Sequence, residues 1–262
     1  MFQKLFHLKE NGTDVKTEVI GGITTFMAMA YILAVNPSIL SQSGMDSQAV
    51  LIATALAAFV GTLCMAFMAN YPFALAPGLG LNAYFAYTVC GTMGYSWELA
   101  LLAVFAEGLV FLALSLTNVR EAIFNAIPMQ LKKGVSVGIG LFIAFLGLQN
   151  AHIVVNSDST LVTMVKFTKD FHTTGISALL ALIGLVIISV LYIKNVKGSI
   201  LLGILITWAL GILAQFTGLY AGDSVLPVWS DFNLGAISKT FGQCFSSAAF
   251  ANFRILDFIV IM

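Results

Sequence analysis

The sequence predicts an all-α membrane protein, and three observations carry that expectation. Of the 262 residues, 59% are hydrophobic and only 9% charged, with a mean hydropathy of +0.96; a soluble domain carries about 25% charged residues. Seven stretches approach or reach the roughly 20 mostly apolar residues that a helix needs to cross a bilayer: 19–40, 48–69, 73–91, 98–117, 134–151, 174–193 and 199–219. One of them, the third, holds Pro77, Gly78, Gly80 and Asn82 in its middle, residues that interrupt an ordinary membrane helix.

The rest of the composition narrows the function classes. Net charge is zero and the 12 Lys and Arg form no basic run, which argues against a nucleic-acid partner. Cys64, Cys90 and Cys244 are an odd number without metal spacing, so no metal site or disulfide framework emerges. Residues 1–18 are charged and lack the apolar core of a signal peptide. They read as a cytoplasmic N-terminus, where the sequon at Asn11 reads as chance.

Orientation follows from Lys and Arg near the helix ends. With the N-terminus inside, the cytoplasmic side holds Lys4, Lys9, Lys16, Arg120, Lys132, Lys133, Lys194 and Lys197. The outside holds Lys166, Lys169, Lys239 and Arg254. Residues 19–219 then form one membrane domain in the cell membrane, 220–254 an extracytoplasmic connection, and 255–262 the start of an eighth crossing cut short. Small residues four apart (Ala49, Ala53, Ala57 and Gly61; Gly134 and Gly138) are expected to let helices approach closely, since no hydrophobic force joins helices within lipid.

The broken third segment is the chemical signal. In hydrocarbon, irregular backbone survives only where protein or a water-filled cavity surrounds it. Ala76 before Pro77 is biased to an extended conformation, and Pro77 removes a donor. A short extended piece followed by a half-helix from Gly78 or Leu79 is expected. Broken helices of this kind build the substrate sites of secondary transporters.

Asn82 falls in the first turn of that half-helix. Its carboxamide offers an acceptor and donors side by side and matches the mixed edge of a planar base, as Asn does with adenine. Phe73, Tyr84, Phe85 and Tyr87 are close enough in sequence to stack on such a ring. The bland alternative is a Pro-kinked packing helix whose aromatics face lipid. Asn36–Pro37 marks either a second cavity wall or a helix stop. Glu107, the one carboxylate well inside a crossing, suggests function by default, or a structural anchor to an adjacent helix. A retinal photoreceptor would need a Lys in the last helix, which 199–219 lacks. A membrane enzyme would need clustered His, Ser or acidic groups at one depth, which Glu107 alone does not supply.

The ordered motifs "TEVIGGITTFMAMAYILAVNPSIL", "NYPFALAPGLGLNAYFAYTV", "FAEGLVF" and "NVREAIFNAIPMQLKKGVSVGIGLFIAFLGLQNA" resemble the AzgA-like purine permeases of the nucleobase/cation symporter-2 family. The resemblance covers residues 3 to 240. It implies fourteen segments in two inverted seven-helix repeats, the third and tenth each a short strand plus a half-helix. It also implies a purine base (adenine, guanine or hypoxanthine) bound between them and carried with protons, with no other cofactor. Gly80 and Asn82 match third-segment positions implicated in purine binding in relatives, with Phe73 alongside; Asn36 matches the polar position ending the first segment. The acidic residues of the family's eighth and tenth segments have no counterpart here, and Asp257 matches an earlier position. The chain therefore reads as an N-terminal fragment, inactive alone and exposing apolar faces on which a second copy could form a homodimer. A uracil, xanthine or inorganic-anion carrier on the same fold is the alternative.

Overall fold

The computed structural model describes residues 6–117, 119–157, 159–168, 170–222, 224–226 and 233–251. The expected start of an eighth crossing at 255–262, with Asp257, lies outside them. Among the described residues, six helical stretches are long and apolar enough to cross a membrane: Val15–Ser43, Ser47–Ala69, Trp97–Leu116, Met129–Asn150, Phe171–Ile193 and Ser199–Phe216. The seventh expected stretch is the broken one, and it is not a continuous helix.

The chain divides into two compact units. One comprises Met1–Tyr31, Asn70–Pro72 and Phe142–Asp231; the other comprises Ile32–Ala69, Phe73–Leu141 and Phe232–Met262. The first unit begins with α1 (Val15–Met29), which Asp14 caps by accepting from the Thr17 N–H at 3.2 Å. Later in the same unit, β1 (Val154–Ser157) and β2 (Leu161–Met164) pair antiparallel, with Val154 opposite Met164. This hairpin corrects the expectation of an all-α chain. The stretch "VVNSDSTLVTM" reads as a loop by its polarity, yet its β-branched residues suit a short ribbon. After it come α8 (Ile176–Ile193) and α9 (Ser199–Phe216).

Glycine lets α8 and α9 meet closely. A Cβ added at Gly184 would lie 2.5 Å from Thr207 Oγ1, and one at Gly203 would lie 2.1 Å from Ile188 Cγ1. These contacts follow the small-residue logic of membrane packing, at positions other than the stripes singled out from sequence. A Cβ at Gly134 or Gly138 would meet nothing within 4 Å, so that expected stripe makes no close helix contact in the described residues.

The second unit holds α2 (Ile32–Leu40), α3 (Ser47–Cys64, continued by a π-helical turn Met65–Ala69), α4 (Leu79–Ala83, continued as a π-helix Tyr84–Thr92) and α5 (Trp97–Leu116). Next come α6 (Val119–Ala126) and the long α7 (Met129–Asn150), which crosses the division between the units. The short α10 (Ser247–Ala251) follows. The expected first segment, 19–40, is in fact two helices, interrupted at Ala30 and Tyr31. Met45, Val50, Phe85, Val89, Leu99, Ala100 and Ala103 form the core beside α4. Phe85 is part of that core, which removes it from the aromatics expected to stack on a substrate.

Candidate functional site

Residues 70–78 adopt no regular structure and lead into α4, so the short strand that the family resemblance implies for this segment does not form among the described residues. Asn70 turns the chain out of the preceding helix at φ +53°, a left-handed conformation that Asn tolerates better than most residues. Within the second unit, the backbone of this irregular piece is paired by a side chain. The Leu75 N–H donates to Thr62 Oγ1 at 3.0 Å, and the Thr62 hydroxyl reaches the Leu75 carbonyl at 3.4 Å. One hydroxyl on α3 thus serves both polar groups of a residue that no ladder reaches, as a segment at membrane depth requires.

The half-helix begins at Leu79 with Gly78 as an uncapped N-cap, and its first internal bond runs from the Asn82 N–H to the Gly78 carbonyl at 3.1 Å. Asn82 therefore sits in the first turn. Its Nδ2 donates to Asn36 Oδ1 at 2.5 Å, and Asn36 Nδ2 donates to Thr54 Oγ1 at 2.8 Å. Asn36 and Thr54 are only 2% and 4% exposed, while Asn82 is half-buried. Pro37 follows Asn36 inside α2, so a carbonyl one turn back loses its usual donor. Three helices, α2, α3 and α4, each contribute one polar side chain to a line of hydrogen bonds.

The bonding capacities decide what this line can do. A carboxamide has one acceptor oxygen and two donor hydrogens. Asn36 spends its oxygen on Asn82 and a hydrogen on Thr54. Asn82 spends one hydrogen, which leaves its oxygen and its second hydrogen for a ligand. That remainder is a mixed acceptor–donor edge, and no charged side chain is among the hydrogen-bond partners of the three residues.

The other expected site residues are placed differently. Gly80 is half-buried in the first turn of α4, next to Leu81 and Asn82. Phe73 lies on the irregular piece with 60% of its surface exposed, and Tyr84 and Tyr87 are exposed at 42% and 40%. Glu107 sits mid-way along α5, exposed, with no hydrogen bond or ion pair among the described residues; it forms no anchor to an adjacent helix there. Thr54 and Thr62 escaped the sequence reading. The available signal was a threonine within the apolar run of α3, which becomes informative only once a buried Asn36 and an unpaired Leu75 need partners.

Against known proteins, a model of the xanthine/uracil-type Permease family matches residues 16–259. The chain belongs to this family. It is 51% identical over 225 residues to putative permease MJ0326 of Methanocaldococcus jannaschii, covering 86% of this chain and 50% of that protein. It is 46% identical over 216 residues to the guanine/hypoxanthine permease PbuO of Bacillus subtilis, covering 82% and 48% respectively. With the adenine permease AdeP of Escherichia coli it shares 41% identity over 251 residues, 92% of this chain and 55% of AdeP. The chain spans about half the length of the curated relatives it matches. It is a multi-pass membrane protein of a transporter family, not an enzyme family.

Proposed function

We propose that this chain supplies one side of the substrate site of a purine nucleobase permease of the cell membrane, taking up guanine, hypoxanthine or adenine with protons. The observation that carries the reading is the line Asn82–Asn36–Thr54 at the start of a broken membrane helix, leaving the Asn82 carboxamide edge for a ligand. A purine presents donor and acceptor atoms side by side on its six-membered ring, and a carboxamide pairs with such an edge through two parallel hydrogen bonds. The permeases named for guanine, hypoxanthine and adenine among the relatives support the same substrate class. In the two-repeat fold that the resemblance implies, the chain is the first repeat, its N-terminus is cytoplasmic, and a partner half-helix faces α4 across the substrate.

The test is uptake of radiolabelled guanine, hypoxanthine and adenine by this chain expressed at the full length of its relatives, in cells lacking their own purine permeases. Saturable uptake that collapses when the proton gradient is dissipated is expected. Saturable uptake of uracil, xanthine or an inorganic anion without any uptake of guanine, hypoxanthine or adenine would overturn the reading.

A further inference from the structure

We infer that Thr54, which touches no substrate, is a positioning residue that sets which edge the Asn82 carboxamide shows to the ligand. This rests on the purine reading above for its functional consequence, though not for its geometry. The oxygen and nitrogen of a carboxamide are nearly equal in shape, so only hydrogen bonding fixes which points where. At Asn36 that choice is made in a buried place. Its nitrogen faces the Thr54 hydroxyl at 2.8 Å and its oxygen therefore faces Asn82 Nδ2 at 2.5 Å. Asn82 must then turn its own oxygen away from Asn36, toward the ligand side. If the hydroxyl reversed its role and donated, both carboxamides would have to turn together. Thr54 thus governs Asn82 through Asn36, across two hydrogen bonds.

Burial makes the coupling tight. Asn36 and Thr54 are shut away, and a buried donor without an acceptor is costly enough that the chain reorganises rather than leave it so. Valine has the shape of threonine without the hydroxyl, so Thr54→Val leaves the packing and deletes the acceptor. Serine keeps it.

Two measurements test the inference separately from the purine reading. The first is side-chain amide NMR of the 262-residue chain in lipid nanodiscs. Thr54→Val should shift the carboxamide resonances of both Asn36 and Asn82, and Thr54→Ser should leave both near their original positions. A shift confined to Asn36 would overturn the relay, whatever the substrate. The second is the ratio of apparent affinities for hypoxanthine and adenine in the full-length permease. Thr54→Val should change that ratio by roughly five-fold or more, the lower end of what a paired base edge discriminates, and Thr54→Ser should restore it. An equal loss for both purines, or a fall in maximal rate at an unchanged ratio, would make Thr54 merely structural and overturn the proposal. Should Thr54→Val fail to reach the membrane, Thr54→Ala carries the same comparison. A wild-type permease without purine uptake would refute the proposed function and leave the NMR result to judge the relay.

Discussion

At the scale of single residues, two threonines on α3 pair polar groups of the second unit that no regular structure reaches. Thr62 pairs both polar groups of Leu75 in a segment with no helix or ladder of its own. Thr62→Val should leave a donor and an acceptor unpaired in an apolar setting, at a cost of about 1–3 kcal/mol. In a protein of this size that lowers the melting temperature in detergent by roughly 2–12 °C, while Thr62→Ser should melt close to the wild type. A valine variant as stable as the wild type would mean that Leu75 finds other partners. Asn36 and Asn82 were legible in the sequence because a carboxamide beside Pro or Gly in an apolar run is conspicuous. Thr54 and Thr62 were not, because a threonine in a membrane helix most often bonds its own backbone, as Thr24 and Thr25 do with the carbonyls of Ile20 and Gly21. Only tertiary proximity separates the two uses.

At the scale of elements, close helix approach and end-capping carry the argument. Gly203 lies so near Ile188 that alanine there would place a methyl 2.1 Å from Cγ1. Gly203→Ala should therefore destabilise the α8–α9 pair by about 1–3 kcal/mol through overpacking, and adding Ile188→Ala should recover most of the loss. Thermal unfolding of the single and double variants checks this, and an alanine variant that melts like the wild type would contradict it. Asp46 caps α3 by accepting from the Ala49 N–H at 2.9 Å, and it also accepts from Lys239 Nζ at 2.8 Å. The Lys239 hydrogen bond first, then the Ala49 N–H, hold its carboxyl below the ordinary carboxylate value near 3.8. A carboxyl lowered in the folded state stabilises fully above its unfolded value, and that contribution fades as pH falls through the lowered one. Because the pair is largely solvent-exposed, the effect is local. A nitroxide at Ser238→Cys, with the three native cysteines replaced by serine, should stay immobilised from pH 7 to about 4 and loosen below that. Lys239→Met should be loose throughout, and a pH-independent wild-type spectrum would contradict the tether. Among the elements, the break before α4 was legible from Pro77 and Gly78, whose backbone chemistry forbids a continuous helix. The break at Ala30–Tyr31 was not, because "AMAYIL" contains no residue that ends a helix. The β1–β2 hairpin was masked by the polar turn at its centre.

At the scale of the whole molecule, topology and the two-sided site are the claims. The N-terminus and the 194–198 loop should both be cytoplasmic, since Lys and Arg concentrate on that side. Cysteines introduced at Asn11 and Val196 should resist an impermeant maleimide in intact cells and react once the membrane is opened; labelling of either from outside would reverse the orientation. In the two-repeat reading, the 262 residues expressed alone hold one of the two half-helices that face the substrate, and a carrier that works by rocking two bundles around it needs both. They should give only background uptake of guanine, hypoxanthine and adenine, and saturable, proton-dependent uptake would show that one broken segment is enough. The central claim is that Asn82, steadied by Asn36, reads the edge of a purine. Competition uptake in the full-length permease tests it most directly, using hypoxanthine and unsubstituted purine against the wild type and Asn82→Ala at matched surface amounts. The wild type should prefer hypoxanthine, and Asn82→Ala should erase that preference, with a coupling energy of about 1–3 kcal/mol between residue and substituent. An Asn82→Ala permease that keeps both affinities and the preference between them would contradict the account.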